Sequence, residues 1–138
     1  MAGFLLDTTV VSELVRPWPS ERVTAWFEAQ PIDDLRISAI TLGELIRGVV
    51  GMADGRRREA LNRWVREDLP RQFQERILPF DEATAVIWGE MVGEGSRRGR
   101  PLPILDAQIG ATALRHGPVL ATRNITDFRA MNVAVFNP

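Results

Sequence analysis

Lysine, cysteine and tyrosine are all absent from this 138-residue chain, and histidine occurs once, as His116. Without cysteine there is no disulfide framework, no thiol nucleophile and no thiolate metal site. Without lysine there is no Schiff base, no P-loop lysine and no ammonium anchor for phosphate. A single imidazole cannot build a multi-histidine zinc site. No apolar run approaches the ~18 residues needed to cross a bilayer. The start, Met1-Ala2-Gly3-Phe4-Leu5-Leu6-Asp7, has no basic segment before its apolar run and soon meets an acid, so it does not read as a signal peptide, and a cytoplasmic protein is the default expectation. The catalytic inventory left is carboxylates, hydroxyls, arginine and backbone.

What is present is balanced. All 17 basic residues are arginine and face 18 acids, for a net charge of −1, and 45% of residues are hydrophobic. That length and composition suit one globular domain, residues 1–138, with its own core. Short apolar runs at Gly3–Leu6, Leu35–Ile40, Arg76–Phe80, Val119–Ala121 and Val133–Phe136 predict five strands. Helical periodicity predicts helices at Thr8–Val15, Glu21–Ala29, Thr41–Val50, Arg56–Leu69, Asp81–Gly93 and Ile104–His116. Gly93–Pro103, with three glycines, two prolines and three arginines, reads as an exposed loop. This alternation predicts an α/β fold: a five-stranded parallel sheet flanked by helices on both faces.

In such a sheet, ligands bind beyond the carboxyl ends of the strands. Asp7 directly follows the first strand. Glu44 falls in the first turn of the helix after the second. Asp106 opens the helix before the fourth strand, and Asp127 follows that strand closely. Capping accounts for each singly. Asp7 could cap the next helix, Thr41-Leu42-Gly43-Glu44 matches a capping box, Asp106 complements a helix N-terminus, and Asp127 could cap the turn Phe128–Met131. Capping does not explain why all four helix starts lie on one sheet edge. Four converging carboxylates repel unless neutralised, and a hard divalent cation such as Mg²⁺ or Mn²⁺ is the usual partner of such a cluster. The chemistry open to it is metal-assisted hydrolysis of a phosphodiester.

Five segments, in order and spanning essentially the whole chain, then resemble the PIN-domain ribonucleases, most closely the VapC/FitB-like toxins of bacterial toxin–antitoxin pairs. They are Phe4-Leu5-Leu6-Asp7-Thr8; Ser38-Ala39-Ile40-Thr41-Leu42-Gly43-Glu44-Leu45; Ile77-Leu78-Pro79-Phe80-Asp81; Leu102-Pro103-Ile104-Leu105-Asp106-Ala107-Gln108-Ile109; and Thr122-Arg123-Asn124-Ile125-Thr126-Asp127-Phe128. The resemblance implies a metal-dependent endoribonuclease with Mg²⁺ or Mn²⁺ held by Asp7, Glu44 and Asp106. Asp127 is the fourth, more peripheral acid, and Thr8, Thr122 and Asn124 are supporting residues. Thr9 departs from the asparagine common at that position, which predicts altered fine geometry rather than lost activity. Gly110 stands where alanine is common and weakens its helix by ~1 kcal/mol, a cost that close packing against the sheet would explain.

The resemblance also implies a VapB/FitA-like antitoxin whose arginine competes with metal for the acids, a homodimer, and a heterotetramer with antitoxin. The apolar faces of residues 41–50 and 56–69, with Leu61, Trp64 and Val65, are candidates for the antitoxin groove, and core packing is the alternative. Arg97, Arg98, Arg100 and Arg123 are candidate contacts to RNA phosphates. His116 reads as a helix C-terminal residue beside Gly117 rather than a catalytic base. Two other functions compete. A phosphatase or phosphotransfer domain would use Asp7, but such enzymes need a second aspartate where Thr9 stands, or a lysine. A non-catalytic PIN-fold interaction domain is the other, and degenerate members tend to lose the acids that this chain keeps.

Overall fold

The structure, a computed structural model, describes residues 3–138. Met1 and Ala2, on which part of the leader-sequence reading rests, lie outside the described residues. Five parallel strands, β1 (Phe4–Leu6), β2 (Leu35–Ser38), β3 (Ile77–Leu78), β4 (Val119–Ala121) and β5 (Val135–Phe136), form a sheet in the order β3-β2-β1-β4-β5. The eight α-helices among the described residues are α1 (Thr8–Leu14), α2 (Glu21–Ala29), α3 (Ala39–Val50), α4 (Arg56–Arg63), α5 (Leu69–Gln72), α6 (Glu82–Arg97), α7 (Ile104–His116) and α8 (Ile125–Arg129). Among the described residues no helix is long and apolar enough to cross a membrane.

Strand side chains alternate between two cores, as the period of two requires. Leu6, Leu35, Ile37 and Ala121 pack with residues of α1, α2, α3 and α5 on one face. Leu5, Leu78 and Leu120 pack with α7 and Phe128 on the other. The sheet is therefore covered on both faces, as expected. Strand order reverses at β1, which makes the β1–β4 boundary the switch point where a crevice opens. The backbone enters β1 through Gly3, whose φ is +94°, and a Cβ there would lie 2.2 Å from the Asp34 carbonyl oxygen. Only glycine accommodates that approach.

Several boundaries differ from expectation, each for a local reason. β2 ends at Ser38 rather than Ile40, because the Ser38 hydroxyl accepts the Ile40 amide (3.0 Å) and starts α3 at Ala39. β3 is confined to Ile77–Leu78, since Pro79 has no amide to donate. β5 begins at Val135, past Asn132 in the left-handed region at φ 58°. The helix expected over 56–69 is broken by a π turn at Trp64–Asp68. Pro70 lies just beyond, where its ring opposes the carbonyl four residues back and its missing amide breaks the α ladder. That turn buries Val65 completely, and Leu61 and Trp64 pack against the same core. Val65 is therefore core, not groove.

The helix expected to stop at Gly93 runs on to Arg97, where Glu94 pairs with Arg97 (3.4 Å) and Arg98 (3.1 Å) at helical spacing. Asp81 caps its start by accepting the Thr84 amide and hydroxyl, bonds that hold its carboxyl below the usual range. At Gly110 a Cβ would meet Met131 Sδ at 3.0 Å and Val133 Cγ2 at 3.4 Å. The close packing there is against the segment between α8 and β5, not against the sheet.

Candidate functional site

Asp7 leaves β1 at the sheet's carboxyl edge, and the register that sets Leu6 opposite Ala121 sets Asp7 beside Thr122. Its backbone amide still donates to the Ala121 carbonyl (2.9 Å). Its side chain is 2% exposed and makes no cap to α1, although Asp7 holds the cap position. Instead Oδ2 accepts two hydroxyls, from Thr9 and Thr122, each at 2.8 Å. The capping account of Asp7 is thereby set aside. A buried carboxylate is costly unless hydrogen-bonded, and two hydroxyls on one oxygen meet that cost while fixing its orientation.

The two threonines also tie this acid to the turn after β4. Thr9 Oγ1 accepts the Arg123 amide (3.3 Å), and Thr122 Oγ1 accepts the Asn124 amide (2.9 Å). Thr9 thus supplies both a donor to Asp7 and an acceptor for the neighbouring loop.

Glu44 lies in the second turn of α3 because that helix starts two residues earlier than expected. The anticipated capping box with Thr41 is not formed, since Ser38 caps the helix. Glu44 Oε1 accepts the Thr8 hydroxyl at 2.9 Å, and the buried Thr41 hydroxyl lies 3.1 Å from that of Thr8. Asp106 stands in the first turn of α7 and Asp127 in the first turn of α8. Asp127 does not cap a turn at 128–131; it lies inside α8. Asn124 Nδ2 donates to Asp127 Oδ2 (2.9 Å) and reaches Asp106 Oδ2 at 3.5 Å.

The Asp106 carboxyl is pushed up from 3.8 to about 6, first by burial and then by the negative charges of Asp7, Glu44 and Asp127. Three acids from three other segments therefore lie within electrostatic reach of Asp106, with Thr8, Thr122 and Asn124 bonded among them. Among the described residues no three carboxylates or imidazoles stand as a ready-made ligand shell for a metal ion. Each of the four acids except Asp106 has a close partner at 2.8 or 2.9 Å in its place. The donor set is nonetheless all oxygen and strongly anionic, the chemistry that suits Mg²⁺ or Mn²⁺.

The candidate arginines have partners of their own. Arg97 and Arg98 sit at the end of α6 on Glu94. Arg98 and Arg100 border a hollow of about 260 Å³ with Met91, Leu102 and Met131, which none of the four acids lines. No arginine is among the charges that act on Asp106. The extra turn of α6 thus brings Arg97 and Arg98 onto Glu94.

Arg123 is ion-paired with Glu13, a residue that sequence reasoning overlooked. Glu13 is 4% exposed and also accepts the Ser20 amide (2.9 Å). Its signal was legible: Glu13 follows Val10 by three residues and so falls on the inward stripe of α1, where an acid needs a partner. His116 ends α7 before Gly117, which takes the left-handed φ of 89°. Burial and Arg115 hold its imidazole below the usual range, which suits a neutral structural residue.

Residues 4–133 match the PIN domain family. Toxin FitB of Neisseria gonorrhoeae is 40% identical over 134 residues, covering 97% of this chain and 96% of the relative. VapC ribonuclease Y4jK of Sinorhizobium fredii is 38% identical over 135 residues, with 97% and 96% covered. The crystal structure of FitAcB from Neisseria gonorrhoeae superposes with a TM-score of 0.91 at 40% identity, over 98% of this chain and 97% of that one. With the family matched from residue 4 to residue 133 and relatives similar along nearly their whole length, the chain belongs to the PIN-domain family.

Proposed function

We propose that this chain is a metal-dependent endoribonuclease, the toxin of a toxin–antitoxin pair. The observation that carries the reading is Asp106: a carboxyl raised to about 6 by burial and by three other acids at the switch point of the sheet marks a crevice built to hold concentrated negative charge. Relatives similar over nearly their whole length are named a toxin and a ribonuclease.

In this reading Asp7, Glu44 and Asp106 would hold Mg²⁺ or Mn²⁺, with Asp127 at the periphery. When bound, the cation supplies Lewis-acid polarisation of a phosphoryl oxygen and a more acidic water. The protein's part is orientation. Thr9 and Thr122 fix one oxygen of Asp7, Thr8 steers Glu44, and Asn124 sets Asp127 against Asp106. With lysine absent and His116 held neutral, positive charge at the phosphate must come from metal or arginine. A VapB/FitA-like antitoxin is the proposed inhibitor, placing an arginine among these acids in competition with metal, and the active protein is proposed to be a homodimer that joins antitoxin as a heterotetramer.

The test is cleavage mapping of RNA by the antitoxin-free protein with Mn²⁺. Discrete cuts are expected from the wild type, and none from Asp7→Asn or Asp106→Asn, each still folded. The lack of a preformed ligand shell is the observation that favours a non-catalytic PIN-fold module, and calorimetric titration separates the two. Failure of Mn²⁺ and Mg²⁺ to bind the antitoxin-free chain would establish that second reading.

A further inference from the structure

Beyond the acid cluster, the surface carries one large aromatic that packing does not explain. Trp18 is 89% exposed. It stands between Pro17 and Pro19, whose fixed φ angles limit how far the loop can wander. An indole left in water on a stiffened loop is already pre-organised for a flat partner.

The loop is fastened to the catalytic edge. The Ser20 amide donates to buried Glu13, Glu13 pairs with Arg123, and Arg123 follows Thr122, whose hydroxyl lies 2.8 Å from Asp7. Only Pro19 separates Trp18 from Ser20, two chain steps that span at most about 7 Å. The exposed groups tied to this loop are mainly cationic. Arg16 is a loop residue paired to Glu13 at 3.6 Å, Arg123 holds the same acid, and Arg57 donates to the Val15 carbonyl. The acid that Arg16 and Arg123 share is buried, while both arginine side chains reach solvent.

An exposed indole on a loop that also carries Arg16, and that Glu13 and Arg123 tie to the Asp7 edge, has the chemistry of a single-strand platform. Unpaired bases stack on aromatic faces while arginines take the phosphates. We propose that Trp18 is a base-stacking residue for single-stranded RNA entering the Asp7 edge, with Arg16 and Arg123 flanking it on the backbone. The proposal rests on the endoribonuclease reading and adds a substrate subsite to it. Glu13 is then a positioning residue that holds this loop to the edge.

The experiment measures fluorescence anisotropy of a labelled single-stranded RNA on the full chain carrying Asp106→Asn, so that the probe stays intact. Adding Trp18→Ala should weaken binding about tenfold. Trp18→Phe should retain most of the affinity, and a blunt RNA duplex should bind alike with or without the indole. In the otherwise wild-type chain, Trp18→Ala should raise KM for a single-stranded substrate and leave kcat unchanged. Equal single-strand affinity of the Trp18→Ala and parent proteins overturns the stacking proposal alone. So does a Trp18→Ala variant that binds RNA normally but loses a co-expressed antitoxin, which would make Trp18 a protein contact. A parent chain that neither binds nor cleaves RNA overturns the proposal together with the ribonuclease reading.

Discussion

At the scale of single residues, Asp106 and Thr9 make opposite demands on the fold. Asp106 titrates near 6 in the folded protein, against 3.8 for an ordinary aspartate. Between those values the folded state binds the proton more tightly than the unfolded chain does, so this group's contribution to stability falls as pH rises through about 6. Asp106→Asn removes the repelling charge. Its thermal midpoint at pH 7.5, with divalent metal chelated, should exceed that of the wild type, even as cleavage is lost. An unchanged or lower midpoint would show that the acids do not repel as placed. For catalysis the sign reverses, since only ionised Asp106 can hold a cation. Mn²⁺ affinity should therefore climb as pH rises through about 6 and level above it, which calorimetric titrations of the metal-free protein across that range would record. Thr9 gives its hydroxyl to Asp7 and takes the Arg123 amide on the same oxygen. Thr9→Val keeps the shape and deletes both bonds. Hydrogen bonds to charged groups contribute about 1.5–3 kcal/mol, so Mn²⁺ affinity should drop roughly tenfold or more in a calorimetric titration while circular dichroism stays unchanged. Retained affinity would mean that Thr122 alone orients the acid.

At the scale of elements, α7 trades helix propensity for contact. Alanine at position 110 would gain ~1 kcal/mol of propensity. Its methyl would meet Met131 Sδ at 3.0 Å and Val133 Cγ2 at 3.4 Å, and both partners are 5% exposed. Overpacking of this kind costs about 1–3 kcal/mol, so Gly110→Ala should destabilise by about 1 kcal/mol in urea denaturation. A more stable variant would show that the Met131 segment yields freely. Helix boundaries teach a related lesson. The start of α3 turned on Ser38, one residue that could have continued a strand, and with it moved Glu44 from a capping role into the reach of Thr8. The end of α6 lies beyond Gly93 and Gly95, and Glu94 pairs there with Arg97 and Arg98.

At the scale of the whole molecule, the charge cluster links metal to stability. A ligand that binds only the folded state stabilises it by about 2.7 kcal/mol at a hundredfold excess over its Kd. Mn²⁺ should therefore raise the melting temperature of the wild type and leave Asp7→Asn unmoved in a thermal shift series, and equal shifts in both would point to a site elsewhere. The chain by itself determined the alternation of strands and helices, the parallel sheet, and the acids at 7, 44, 106 and 127, because periodicity and the residues that end each strand are local properties. It also determined by omission that lysine and cysteine take no part in the chemistry. Only the tertiary structure decided which hydroxyl serves which carboxylate, since Thr122 meets Asp7 across 115 positions of chain through the β1–β4 register. It decided as well that Val65 is core, that Arg97 and Arg98 serve Glu94, and that Glu13 holds Arg123 and the Trp18 loop to the edge. Partners of that kind are fixed by three-dimensional proximity and the cost of burying an unpaired charge, which no spacing along one strand or helix encodes.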